Sequence, residues 1–346
     1  MTMAATTSDG GPVLSLEDLS MGFGARRGLA GVLGRKPQER RVLHDVSLDV
    51  GPGEIVALVG ESGSGKTTTA QLALRLMTPA SGRVVFEGRD ITGLTPRQLR
   101  PLRTRMQMIY QDPYESLNPR HRVAEILLEP LRIHGRLSGS AADRDERVTR
   151  ALASVGLTPP EKYKDRYPHE LSGGQRQRVA IASSLMLEPR LLVADEPVSM
   201  LDVSVRAGIL SLLVTLKAEL GLGVLFITHD LSTAVSCADR IAVMYRGRIV
   251  ELGPARSVIA APRHPYTRDL VAAVPRRGSR SGPPVVAPEE DTEDQVAGEE
   301  PDGCPYAARC PLVQEPCRTW TPELEASDDA GAPRAVACRR AEEMTR

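Results

Sequence analysis

The stretch Gly60 to Thr67 reads Gly-Glu-Ser-Gly-Ser-Gly-Lys-Thr and fits the pattern G-x-x-x-x-G-K-[ST] at every fixed position. Glycines at 60, 63 and 65 let successive backbone N–H groups turn inward without Cβ clashes. A helix starting near Lys66 adds its positive dipole end to the same anion site. Such a loop cradles the phosphates of a nucleoside triphosphate through Gly60, Glu61, Ser62, Gly63, Ser64, Gly65 and Thr68. Lys66 would then reach the terminal phosphates and the Thr67 hydroxyl would ligate Mg²⁺.

Three further strand ends carry groups that suit phosphoryl transfer. The apolar run Pro189-Arg-Leu-Leu-Val-Ala delivers Asp195 and Glu196 together. In that chemistry the first carboxylate holds the Mg²⁺ shell and the second polarises the attacking water. Met106-Gln-Met-Ile-Tyr110 delivers Gln111, which fits a Mg²⁺ or water contact or a plain surface residue. Gly223-Val-Leu-Phe-Ile-Thr228 delivers His229, whose place at the end of a strand parallel to the others favours a catalytic role over a structural one. A second anion site is built by Leu171-Ser-Gly-Gly-Gln175, which sets a hydroxyl, two unhindered amides and an amide side chain at a helix N-terminus.

The elements that must position these groups follow from periodicity. Residues 13–19 and 42–50 alternate like strands, separated by a Gly/Arg/Lys-rich insert from Gly24 to Arg40. Glu54-Ile-Val-Ala-Leu-Val59 reads as a buried strand, and residues 67–77 as a helix. Residues 121–157 have apolar residues at helical spacing, broken at Gly135 to Ser140, which predicts a helical insertion. Helices are predicted near 176–187 and over 203–220, with a hairpin about Arg246-Gly247. Phe23 fits an adenine stack as well as a core or loop aromatic.

With 346 residues, 41% hydrophobic and 25% charged, the chain suits one large or two soluble globular domains. Its 44 basic and 44 acidic residues balance, which gives no support for a nucleic-acid partner. No stretch approaches the roughly 18 apolar residues of a membrane span, and the N-terminus lacks the pattern of a signal peptide, so a cytosolic chain with reduced cysteines is expected.

Taken together, the phosphate loop, Gln111, Leu171 to Gln175, Asp195-Glu196, Ser199-Met-Leu-Asp202 and His229 resemble, in order and spacing, the ATP-binding subunits of ABC transporters. Leu-Ser-Gly-Gly-Gln is the most specific of these. The resemblance covers about residues 13–275. It implies an α/β ABC-type P-loop ATPase: a RecA-like core sheet, an N-terminal antiparallel β subdomain and a helical signature subdomain over about 112–187. Residues 1–12 are expected to be disordered, 276–303 to form a Pro/Gly/charge-rich linker and 304–346 a small Cys-containing tail.

Narrower phrases, Tyr110-Gln-Asp-Pro-Tyr-Glu-Ser-Leu-Asn-Pro119, Tyr167 to Arg178 and Pro262-Arg-His-Pro-Tyr-Thr267, are similar to the oligopeptide/dipeptide (nickel) importer branch. Met200 and Ser183-Ser184 depart from its usual Ala and Arg-Ala, which leaves oligosaccharides open as the alternative cargo to peptides. A non-transport ABC ATPase is the more distant alternative.

The resemblance implies a head-to-tail dimer, with an identical or more often a related ATPase subunit. Lys66, Thr67, Gln111 and Asp195 of one subunit hold phosphate and Mg²⁺, Glu196 activates water and His229 orients the γ-phosphate. Leu171, Ser172, Gly173, Gly174, Gln175 and Asp202 face the nucleotide of the other subunit. Two transmembrane permease subunits, an extracytoplasmic solute-binding protein and a peripheral place on the cytoplasmic face of the membrane are implied with it. Cys304, Cys310, Cys317 and Cys338 suit zinc, an iron–sulfur cluster or no metal; they lack paired C-x₂-C spacing, and the resemblance favours a [4Fe–4S] cluster. Cys237 reads as a core cysteine.

Overall fold

The computed structural model describes residues 11–23, 40–112, 116–274, 303–326 and 333–345. The expectations for residues 1–10, most of the insert from Gly24 to Arg40 and nearly all of the linker lie outside the described residues.

Four strands, β1 (Leu14–Phe23), β2 (Arg40–Val50), β4 (Ser81–Phe86) and β5 (Arg89–Asp90), pair antiparallel in the order β2-β1-β4-β5. The second sheet orders its strands β11-β12-β10-β9-β3-β8-β7-β6. They comprise β3 (Ile55–Val59), β6 (Met106–Ile109), β7 (Leu191–Asp195), β8 (Gly223–Thr228), β9 (Arg240–Tyr245), β10 (Arg248–Pro254), β11 (Glu325–Ala326) and β12 (Ala335–Val336). Neighbours among β9, β3, β8, β7 and β6 run parallel.

Strands covered on both faces read as unbroken apolar runs, and every residue of β3, β7 and β8 is buried. Their alternate side chains serve two different cores. Ala57, Val59, Ala194 and Phe226 pack with the helices 123–133, 141–154 and 203–220. Val56, Leu58, Val193 and Ile227 pack beneath the antiparallel sheet with Leu14, Leu48 and Phe86.

The helical region is as predicted from 121 to 157. Val123–Ile133 and Ala141–Ser154 form two helices, the second capped by Ser140, whose hydroxyl accepts the Asp143 N–H. Val203–Leu220 ends on Gly221, whose φ of +61° closes the helix in the left-handed region. The helix after the phosphate loop is shorter than its apolar spacing predicts. It stops at Ala73, and Arg75 turns left-handed at φ +51° to bond the carbonyls of Met77 and Ile91.

The C-terminal segment adds to the main sheet. β12 pairs with β10 through Ala335 opposite Leu252 and Val336 opposite Glu251. Arg334 forms a charge pair with the fully buried Glu251, which also accepts the backbone N–H groups of Arg263 and His264. No described helix is long and apolar enough to cross a membrane.

Candidate active site

Parallel pairing brings the predicted strand ends to one edge. Val59 lies opposite Thr228, Ile227 opposite Asp195 and Ala194 opposite Ile109. Gly60, His229, Glu196 and Gln111 therefore leave that edge together, at the carboxyl ends of the strands where open α/β sheets bind ligands.

The loop itself is shaped by two constraints. Gly65, at φ +106°, caps the helix Lys66–Ala73, and a Cβ there would meet Leu43 Cδ2 at 2.5 Å. Ser64 accepts the Gly247 N–H at 2.8 Å, so the β9–β10 turn supports the loop from below. Lys66 is buried, and its Nζ donates to the carbonyls of Gly60 and Glu61 at 2.8 and 2.7 Å. Burial holds its pKa below the ordinary value, while the Glu196, Asp195 and Glu61 carboxylates act in the opposite sense. Thr67 and Ser62 are exposed and Thr68 is partly so.

Thr67 Oγ1 stands 3.5 Å from Asp195 Oδ1. Burial pushes the Asp195 pKa up, and the neighbouring Glu196 charge adds to that push; the Thr67 hydroxyl and Lys66 oppose it. Glu196 has a backbone φ of +47°, a left-handed conformation costing a non-glycine residue about 1–2 kcal/mol. Its N–H on the Ile227 carbonyl and the Ser199 hydroxyl on its own carbonyl hold that shape. Its carboxylate touches His229 Nδ1 at 2.9 Å and Gln111 Nε2 at 3.4 Å. A carboxylate only accepts, so the Nδ1 proton belongs to His229. Hydroxyl, carboxylates, amide, ammonium and imidazole thus lie along one edge of the sheet.

The signature residues are not all of one kind. The Leu171 side chain is buried in the helical core. Ser172 caps the helix Gly173–Leu185: its hydroxyl accepts the Gln175 N–H, and the Gln175 side chain accepts the Ser172 N–H. Each of the two polar side chains expected to face a nucleotide accepts the backbone N–H of the other residue, an S-x-x-Q box whose capping meaning was readable in the sequence. Gly174 has no room for a side chain, since a Cβ would meet Val205 Cγ1 at 2.3 Å. Asp202 is exposed before the helix Val203–Leu220, and its carbonyl accepts the Arg206 N–H. Phe23 ends β1 at 46% exposure, leaving its ring partly open to solvent.

Sequence reasoning missed the residues that brace the loop from outside. The Tyr266 hydroxyl accepts the Glu61 N–H at 3.0 Å, and the Arg309 guanidinium lies 3.4–3.5 Å from the Glu61 carboxylate. Neither carries a local signal, because the partner is remote along the chain.

Cys304, Cys310, Cys317 and Cys338 all line one cavity with His264, Tyr306 and Trp320. Burial raises the pKa of Cys304 and Cys310, and that of Cys338 to about 11. Among the described residues, no three His, Cys, Asp or Glu side chains are grouped so as to hold a metal ion. Cys237 is buried in the helix Leu231–Cys237 and its pKa is raised to about 12 by burial.

Comparison with known proteins identifies the family. A family model for ABC transporters matches residues 43–199, and one for the oligopeptide/dipeptide transporter C-terminal region matches residues 250–317. A Brucella ovis protein named for peptide import and ATP binding is 45% identical over 305 residues, covering 86% of this chain and 92% of its own. The glutathione import ATP-binding protein GsiA of Escherichia coli K12 is 46% identical over 292 residues, 84% of this chain but 46% of GsiA. Among solved structures, cbiO1 of Clostridium perfringens, part of the ABC transporter complex cbiONQ, superposes with a TM-score of 0.61 at 29% identity, covering 72% of this chain and 91% of cbiO1. A dimeric post-hydrolysis structure of the ATP-binding cassette MJ0796 with ADP and Pi also gives 0.61, at 28% identity, over 70% of this chain and 99% of that one. The chain belongs to the ATP-hydrolysing ATP-binding subunits of ABC transporters, in the branch that carries the oligopeptide/dipeptide C-terminal region.

Proposed function

We propose that this chain drives uptake of small peptides by hydrolysing ATP at a site shared between two ATPase subunits. The convergence of Lys66, Thr67, Gln111, Asp195, Glu196 and His229 on one sheet edge carries the reading. Lys66 leaves the Gly60 and Glu61 carbonyls for the terminal phosphates, which offer a buried ammonium a far stronger partner. Thr67, Gln111 and Asp195 would hold Mg²⁺, which supplies neutralisation of developing phosphate charge. Glu196 accepts a proton from the attacking water. His229 donates Nδ1–H to Glu196, and its Nε2 donates to the γ-phosphate when the ring carries both protons.

The second subunit is favoured by exposed apolar side chains around the signature. Met200 is 63% and Val203 81% exposed, on either side of Asp202. Tyr110, 52% exposed next to Gln111, is an apolar surface that a permease could cover, which supports a peripheral subunit at the inner surface of the membrane. Peptide as cargo rests on the matching C-terminal region and the names of the relatives. The experiment is co-purification of permease and solute-binding protein, followed by identification of the ligand that the binding protein retains. A retained oligosaccharide would overturn the peptide reading.

The four tail thiols have the chemistry of soft-metal ligands, although no three such groups are gathered as a metal site among the described residues. The four residues line one cavity, and four thiolates are the ligand set of a [4Fe–4S] cluster. Zinc is the alternative, since four thiolates also suit a tetrahedral Zn²⁺. Cys304, Cys310, Cys317 and Cys338 would hold the cluster in a structural or regulatory role, since ATP hydrolysis uses no electron carrier. A colourless, iron-free protein after anaerobic purification would overturn this assignment.

A further inference from the structure

The cysteine tail touches the phosphate loop, and the contact is made by a residue next to a cysteine. Cys304 to Cys310 form a continuous turn in which Ala307 N–H bonds the Cys304 carbonyl, Arg309 N–H the Tyr306 carbonyl and Cys310 N–H the Ala307 carbonyl. The turn directs two side chains inward. Tyr306 is buried against Tyr245 and Tyr266, with ring centroids 5.3 and 5.5 Å away, and its hydroxyl donates to Asp269. Arg309 lies over the Tyr306 ring and extends to Glu61, the second residue of the phosphate loop.

Glu61 is thereby held at three points. Its carboxylate meets Arg309, its N–H meets Tyr266 and its carbonyl accepts from Lys66 Nζ at 2.7 Å. We infer that Arg309 is a positioning residue for ATP binding: through Glu61 it fixes the conformation of the phosphate loop, and so joins the state of the cysteine tail to nucleotide affinity. This rests on the nucleotide reading of the loop. An arginine suits the task, because its planar fork can grip both carboxylate oxygens at once. Both partners are partly exposed, with 26% and 35% of their side-chain surfaces open, so the pair has the modest strength of a screened contact. Its effect therefore falls on loop geometry and affinity, not on whether the chain folds.

The test uses the full-length purified chain, with MgATP affinity, KM and kcat measured for wild type, Arg309→Ala, Arg309→Lys, Glu61→Gln and the double variant Glu61→Gln/Arg309→Ala. Arg309→Ala should weaken ATP binding and raise KM by about two- to five-fold while kcat and the melting temperature stay near wild type. Arg309→Lys should recover part of the loss. In the Glu61→Gln background, removal of Arg309 should change KM no further. Unchanged KM in Arg309→Ala, or an equal effect in the Glu61→Gln background, would overturn the inference; the second result would mean that Arg309 acts on the nucleotide by charge alone. Lys66→Ala is the control for the underlying reading. If it binds ATP as wild type does, the nucleotide site itself is misassigned, a result separable from failure of Arg309→Ala alone.

Discussion

Nδ1 of His229 stands 2.9 Å from Oε1 of Glu196, and the two residues follow adjacent parallel strands, one at the end of β8 and the other at the end of β7. The imidazole thus fixes the carboxylate that would receive the water proton. Glu196→Gln should retain ATP affinity within a few-fold and lose turnover by about 10²- to 10⁴-fold, the span of a general base. Phosphate release and equilibrium nucleotide binding check it. Adding His229→Ala should cost little more, since the two act as a unit.

A bulky side chain at the cap of the signature helix separates the two half-sites. Ser172→Arg should bind ATP through its own Lys66 yet hydrolyse almost none, and it loses a cap of about 1 kcal/mol. The companion measurement is dilution: wild-type specific activity should fall as the chain is diluted, because each hydrolysing site needs a partner's signature. Constant activity at every concentration counts against a shared site.

Breaking the buried pair between tail and sheet should be costly. Arg334 is 3% exposed and Glu251 fully buried, so Arg334→Ala leaves a carboxylate without its cation in the interior. Urea unfolding should show a loss of about 3–5 kcal/mol. Glu251→Met/Arg334→Met should recover only part of it, because the Arg263 and His264 N–H groups lose their acceptor.

Cys237 should be chemically silent. With its pKa near 12, about one thiol in ten thousand is ionised at pH 8. Alkylation of the native chain at that pH should leave it unlabelled, with mass spectrometry as the readout. The sign for stability follows from the same shift. Between pH 9 and 12 the unfolded chain sheds a proton that the native chain keeps, so this group makes stability fall as pH rises. Cys237→Ala should flatten that decline.

The elements legible in the sequence are those whose signal is local and repeated. Val203–Leu220 and Gly223–Thr228 begin and end where their patterns do, and the unbroken apolar run of β7 announces a strand covered on both faces. The strand-end chemistry at Gln111, Glu196 and His229 could be located because parallel sheets expose their carboxyl ends together. What stayed hidden is long-range. β12 has two residues, too few for any period, and its partner β10 lies far back along the chain. The Arg309–Glu61 pair joins two loops with no pattern between them. Ser172 and Gln175 show the other limit, where a motif read for nucleotide binding is seen in this conformation as a helix cap.

The two short strands that finish the main sheet also guard it. Without β12, Glu251 and Leu252 of β10 would lose their strand partners and leave backbone amides and carbonyls bare, the kind of template on which foreign chains add themselves. A chain truncated after the ATPase core would carry that adhesive margin into a crowded cell. The C-terminal segment therefore covers part of an open sheet edge as well as neighbouring the phosphate loop.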